Sequence, residues 1–283
     1  MKSMPGSETK GASTVKELSN IPLMILCGGK GTRLRDVTEL LPKPMVAIGD
    51  QPIVWHIMKS YAAFGVRRFI LCLGYKKEAF VDYFMNYHLR TSDATLRLGH
   101  TPEITFHGES DEADWEVTFA NTGEDAMTGY RVFKASRYLK DEDENFFLTY
   151  GDGVSDVNIG KLYQSHIKSG NTVTITAVHP EARFGQLILD ENRVCSFDEK
   201  PPRGEGYING GFMVMKKEFV HRYLSADEKL FLERAPLQNA AADREMGVYR
   251  HEGFWQCMDN QREYTLLNKM WDSGKAPWKK YWK

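Results

Sequence analysis

Leu23-Met24-Ile25-Leu26-Cys27-Gly28-Gly29-Lys30-Gly31-Thr32-Arg33 is the stretch on which the fold turns. Its first four residues form a short continuous apolar run, the pattern of a strand covered on both faces. The run passes directly into glycines. Small residues let backbone N–H groups approach phosphate oxygens closely, and the Arg33 guanidinium adds a fixed positive fork. The glycine spacing is neither GxGxxG nor GxxxxGK[ST], so neither the dinucleotide fingerprint nor the Walker loop fits. Taken alone, such a turn also serves as simple punctuation after a strand.

Working outward, Ile53, Ile57 and Tyr61 fall on one stripe with Val54 and Met58 beside it, which predicts a helix from Pro52 to Phe64. Pro52 suits a first helical turn and Gly65 a stop. Phe69–Leu73 reads as a second buried strand, and a helix is expected around Glu78–Tyr87. Strand, helix, strand, helix with short links implies parallel pairing in an α/β sheet. Between about Thr91 and Tyr130 the pattern changes. Leu96, Leu98, Ile104, Phe106, Val117 and Phe119 alternate with polar residues, as in short half-exposed antiparallel strands. The acidic clusters Glu109–Asp114 and Asp141–Glu144 read as solvated turns. Phe146–Tyr150 returns to the central-strand type and stops at Gly151-Asp152-Gly153. A helix near Ile159–Ser169 and a strand at Thr172–Ala177 follow. Asp190-Glu191-Asn192 marks a hairpin between Gln186–Leu189 and Val194–Phe197. Ile208–Met215 is a strand interrupted by Gly210-Gly211, where a ligand or another backbone is expected close by. Arg262–Trp271 is an amphipathic helix.

The chain has 283 residues, with 37 Lys+Arg against 38 Asp+Glu. This near balance excludes a general nucleic-acid coat, which needs a basic excess, but not a local site for a small anion. No stretch reaches the ~20 consecutive apolar residues of a membrane span. Residues 1–20 are polar and mixed in charge, and are expected to form a flexible leader. Residues 21–283 are read as one domain. It divides into a half of about 21–180 and a C-terminal half of about 181–283. The cysteines Cys27, Cys72, Cys195 and Cys257 form no CxxC pair. Cys27, Cys72 and Cys195 sit in apolar stretches and are expected to be buried free thiols in a reducing compartment, the cytoplasm. No histidine spacing points to zinc, and no Gly-x-Ser-x-Gly elbow is present. Tryptophans 55, 115, 255, 271, 278 and 282 read as core or subunit contacts.

Further polar features carry possible chemistry. Pro42-Lys43-Pro44 holds a lysine on a stiff, extended mount that can aim at a fixed anion. Asp152 and Asp259 each follow an apolar run. Two converging carboxylates could hold Mg²⁺, which keeps water and phosphate as its other ligands. A lone Asp after a strand also serves as a helix cap or turn former. Glu199-Lys200-Pro201, Arg183-Phe184-Gly185 and Ile208-Asn209-Gly210-Gly211 are small polar or close-approach sites.

In order along the chain, Leu26–Leu34 followed by Pro42-Lys43-Pro44-Met45 resembles the signature of the sugar-phosphate nucleotidylyltransferases. Trp55–Lys59, Cys72–Lys76, Met127–Arg131, Thr149–Val154, Arg183–Gly185, Glu199–Pro201, Ile208–Phe212, Gly253–Gln256 and Gly274–Trp278 are similar to the branch that joins CTP to glucose 1-phosphate. The resemblance runs from about Leu23 to Trp278. It implies a Rossmann-like three-layer α/β fold with a mixed, mainly parallel sheet and a small antiparallel insertion. It implies transfer from CTP to a sugar 1-phosphate, giving a CDP-sugar and pyrophosphate, with Mg²⁺ as cofactor in a homo-oligomer. Another acceptor phosphate or nucleoside triphosphate is the alternative. Carried over by position, Gly28, Gly29, Lys30, Gly31, Thr32 and Arg33 would wrap the CTP phosphates. Lys43 would meet the reacting phosphate, and Thr128 and Arg131 would help hold the nucleotide. Asp152 and Asp259 would ligate Mg²⁺, with Arg33, Lys43 and Asp152 as the catalytic set. Gly185, Glu199, Lys200, Asn209 and Gly210 would hold the sugar phosphate. Three departures stand out: the first 20 residues are extra, Cys27 replaces a common alanine, and Tyr130 replaces a frequent glycine.

Overall fold

The computed structural model describes residues 18–29, 41–180, 186–190, 193–198 and 206–282. Among them, the central sheet has eight strands. They are β1 (Leu23–Leu26), β2 (Arg68–Leu73), β3 (Glu116–Asn121), β4 (Asn145–Tyr150), β5 (Val173–Val178), β6 (Ile208–Asn209), β7 (Met213–Lys216) and β8 (Met246–His251). The order across the sheet is β3-β2-β1-β4-β7-β5-β8, with β6 beside β5 on the same side as β7. Pairings β1–β2, β1–β4, β2–β3 and β5–β8 are parallel, whereas β7 runs antiparallel to both β4 and β5. The sheet is therefore mixed and mainly parallel, as the alternating strands and helices require.

The four apolar residues of β1 divide by parity. Leu23 and Ile25 pack into a core with the helices Ile53–Ala62 and Ile159–Ser169. Met24 and Leu26 face a second core with Thr128–Ala135, Lys217–Tyr223 and Ala235–Ala242. Because successive side chains point to opposite faces, a fully apolar strand needs cover on both sides, and three layers supply it. No helix among the described residues is long and apolar enough to cross a membrane.

Several expectations need correction. Val117 and Phe119 do not belong to the antiparallel insertion; they lie on β3, an edge strand parallel to β2. An edge strand has one open side, so it alternates in polarity much as a hairpin does. The insertion is the hairpin Asp93–Arg97 and Glu103–His107. The acidic turns are only partly solvated: Asp143 is buried against Arg68, and Glu112 pairs with Lys59. Cys195 is exposed, while Cys27 and Cys72 are buried free thiols. Leu18 is fully buried, so the core takes in the last residues of the polar leader. At Gly210 an added Cβ would meet the Val178 methyls at 2.7 and 3.0 Å and the Thr176 carbonyl oxygen at 3.2 Å, so the expected close backbone is there, together with a side chain.

Candidate active site

The strand order reverses at β1. The chain leaves β1 toward β2 and β3 on one side, and β4 lies on the other. In open α/β sheets such a switch point opens a crevice beyond the carboxyl ends of the strands. Here a cavity of about 560 Å³ lies there, lined by Gly28 and Gly29 after β1 and by Tyr150, Gly151 and Asp152 at the end of β4. Lys43, Thr128, Arg131 and Asp259 complete its wall. Gly151 holds the two strand ends together: its N–H donates to the Leu26 carbonyl at 3.0 Å, and an added Cβ would sit 2.9 Å from that oxygen.

Lys43 opens a single 3-10 turn, Lys43–Met45, rather than an extended run. Pro42 and Pro44 have the fixed φ of a first helical turn, where a missing N–H costs nothing. Its ammonium donates to Asp152 Oδ2 at 2.7 Å and also to Asp259 Oδ1. Burial pulls the Lys43 pKa down, but Asp152 and then Asp259 outweigh it and hold it above the ordinary lysine value. The site therefore keeps a permanent positive charge between two carboxylates.

A two-stranded ladder brings the two carboxylates together. Gly153–Ser155 pairs antiparallel with Trp255–Cys257, with Gly153 opposite Cys257. One step beyond, the Met258 N–H donates to the Asp152 carbonyl at 2.8 Å, which brings Asp259 level with Asp152. Asp259 leads into the helix Gln261–Asp272, capped by Asn260. Its own N–H donates to Glu263 Oε2 at 2.6 Å. Oxygen donors on two carboxylates fit a hard divalent cation that completes its shell with phosphate and water. No group of three or more His, Cys, Asp or Glu able to hold a metal occurs among the described residues.

Arg131 is 4% exposed, and its guanidinium is spent on the protein. It donates to the carbonyls of Gly28 (2.7 Å), Gly123 (2.7 Å) and Glu124 (3.1 Å) and to Thr122 Oγ1 (2.8 Å). Burial pulls its pKa below the usual arginine value. A Cβ on Gly28 would lie 2.1 Å from the guanidinium, so that glycine makes room for Arg131, whereas a Cβ on Gly29 would meet open space. Arg131 thus ties the start of the glycine loop to the loop after β3.

Of the residues named from sequence, Gly28, Gly29, Lys43, Thr128, Arg131, Asp152 and Asp259 converge on one cavity. Asn209 ends β6, where its amide reaches the Tyr150 hydroxyl at 3.5 Å, and Gly210 follows it. Lys30, Gly31, Thr32, Arg33, Gly185, Glu199 and Lys200 lie outside the described residues. Sequence reasoning missed Glu233, which accepts hydrogen bonds from Thr128 and Tyr150. No motif marks it, because it meets its partners only through tertiary contacts.

Residues 23–256 match the family model described as nucleotidyl transferase. The chain is 41% identical over 256 residues to the probable glucose-1-phosphate cytidylyltransferase of Bacillus subtilis, covering 90% of this chain and 98% of that one. The chain belongs to the nucleotidyl transferase family, in its glucose-1-phosphate cytidylyltransferase branch. The glucose-1-phosphate cytidylyltransferase of Salmonella typhi is 42% identical to this transferase, again over 90% of this chain and 98% of its own. The fold of the transferase also matches the HddC protein of Yersinia pseudotuberculosis, solved in complex with GMP-PN. That match has a TM-score of 0.62 at 23% identity, over 89% of this chain and 99% of that one.

Proposed function

We propose that this transferase joins CTP to α-D-glucose 1-phosphate, giving CDP-glucose and pyrophosphate, with Mg²⁺ as the required ion. The observation that carries this reading is Lys43 held between Asp152 and Asp259 at the switch point of the sheet. The near full-length likeness to relatives named for this reaction supports the choice of substrates.

The acceptor's phosphate oxygen is already an anion, so in-line attack on the α-phosphate needs no general base. The obstacle is repulsion between two anionic phosphates, and positioning with charge neutralisation overcomes it. Gly29 is open on its Cα side, and Gly31, Thr32 and Arg33, which follow it in the sequence, would contact the phosphates. Lys43 keeps its proton and offsets charge at the α-phosphate as it becomes five-coordinate. Arg33 stabilises the departing pyrophosphate. Asp152 and Asp259 hold the divalent ion, which supplies positive charge to the phosphate oxygens. Gly185, Glu199, Lys200, Asn209 and Gly210 hold the sugar phosphate. The enzyme acts as a cytoplasmic homo-oligomer, a reading that fits the exposed apolar face of the hairpin, where Leu96, Ile104 and Phe106 stay open.

A panel of nucleoside triphosphates against sugar 1-phosphates, read by pyrophosphate release, tests the reading. Turnover should be greatest with CTP and glucose 1-phosphate, and should stop on chelation and return with Mg²⁺. Absence of CTP turnover with every acceptor would overturn it.

A further inference from the structure

Glu233 stands behind the cavity wall and touches two of its hydroxyls. Thr128 Oγ1 donates to Glu233 Oε2 at 2.7 Å, and the Tyr150 hydroxyl donates to Oε1 at 2.6 Å. Both Thr128 and Tyr150 line the cavity. A hydroxyl has one proton, and an ionised carboxylate can only accept. Both protons are therefore committed to Glu233. Thr128 Oγ1 also accepts the Leu232 N–H at 2.9 Å, which leaves it one lone pair. Burial, and then Glu233 itself, pushes the Tyr150 hydroxyl above its ordinary pKa, so it keeps its proton. The Tyr150 oxygen also meets the Asn209 amide at 3.5 Å, so the acceptor open to a ligand is chiefly Thr128 Oγ1, and neither side chain offers a donor.

The pyrimidines differ in this respect. Cytosine presents an amino donor at N4, where uracil and thymine present a carbonyl acceptor at O4. Thr128 begins the helix that carries Arg131, and Arg131 pins Gly28, so Thr128 lies on the nucleotide side of the switch point. We infer that Glu233 is a specificity-determining residue: by fixing the Thr128 and Tyr150 protons it makes this wall accept the amino edge of cytosine and reject a keto edge. The inference rests on the proposed use of CTP. Without the carboxylate, the Thr128 hydroxyl can rotate and donate to a carbonyl.

Glu233 is exposed, so its replacement leaves the core intact. The test compares kcat/KM for CTP and for UTP, with glucose 1-phosphate as acceptor, in the full chain and in Glu233→Ala, Glu233→Gln and Thr128→Val. The CTP-to-UTP ratio should fall at least tenfold in Glu233→Ala, on the scale of one unpaired hydrogen-bonding group. It should fall less in Glu233→Gln, which still accepts from one hydroxyl. In a Thr128→Val background, Glu233→Ala should lower the ratio less than it does alone, because only the Tyr150 proton is left for Glu233 to control. An equal loss with both nucleotides would make Glu233 a structural residue and overturn the inference, as would an undiminished further fall in the Thr128→Val background. A parent enzyme that turns over CTP without preferring it to UTP would overturn the inference alone. A parent enzyme that turns over no CTP would overturn the proposed function.

Discussion

Lys43 and Asp152 are 109 residues apart in the chain and 2.7 Å apart in space, Nζ to Oδ2. The pair spans the crevice between β1 and β4, and Asp259 closes it from the far side. Removing either partner should hurt turnover far more than folding, because these side chains are part-exposed and such pairs add little stability. Lys43→Ala and Asp152→Ala should each lower CTP-dependent pyrophosphate release by about 10²–10³. Their melting temperatures should stay within a few degrees of the parent protein. Near-full activity in either variant would remove that residue from the mechanism.

Arg131 presents the opposite case. Its guanidinium is enclosed, and at least three backbone carbonyls depend on it. Arg131→Met should destabilise the ligand-free protein by about 2–4 kcal/mol, since buried carbonyls without a partner cost about 1–3 kcal/mol each and water recovers part of the loss. Urea unfolding measures this directly. A direct phosphate ligand with no structural task would leave the ligand-free midpoint where it was.

Gly151→Ala tests the junction of the two strand ends. The new Cβ would press on the Leu26 carbonyl and on Pro44, both at 2.9 Å. Neither neighbour is a flexible tip, so overpacking should cost about 1–3 kcal/mol. Because Pro44 adjoins Lys43, kcat should fall as well. An unchanged unfolding midpoint together with unchanged kcat would show that the crevice has slack.

His56 and His166 give the fold an acid limit. Burial lowers both pKa values to about 4. His56 Nε2 donates to the Ile48 carbonyl and its Nδ1 accepts the Trp278 indole N–H, while His166 meets Thr174 and Asn145. The unfolded chain binds these protons near pH 6.5 and the folded chain only near 4. Stability is therefore full above about pH 6.5 and falls as pH drops toward 4, by about 3 kcal/mol per histidine. Urea midpoints between pH 7 and pH 4.5 should show this slope, and His166→Gln should flatten it. A pH-independent midpoint across that window would refute the assignment.

Much of this site could be read along the chain because its pieces are local. The β1 run ending in glycines, the proline-flanked Lys43, and Asp152 after a core strand each carry a one-dimensional signal in apolar periodicity or backbone restriction. The Ile53–Ala62 helix and the β6–β7 interruption could be located for the same reason. The alternation around Val117 misled, because an edge strand of a parallel sheet and a free hairpin share one pattern.

The sequence by itself determined the layer type, the glycine crevice and the identity of the charged groups, since burial pattern and residue chemistry are properties of short segments. Only the tertiary structure decided who meets whom. The ladder between Gly153–Ser155 and Trp255–Cys257 sets Asp259 beside Asp152. The fold also turns Arg131 onto carbonyls and places Glu233 behind two hydroxyls. Such contacts join segments tens to hundreds of residues apart, and distance in space is fixed by packing, which no local pattern encodes.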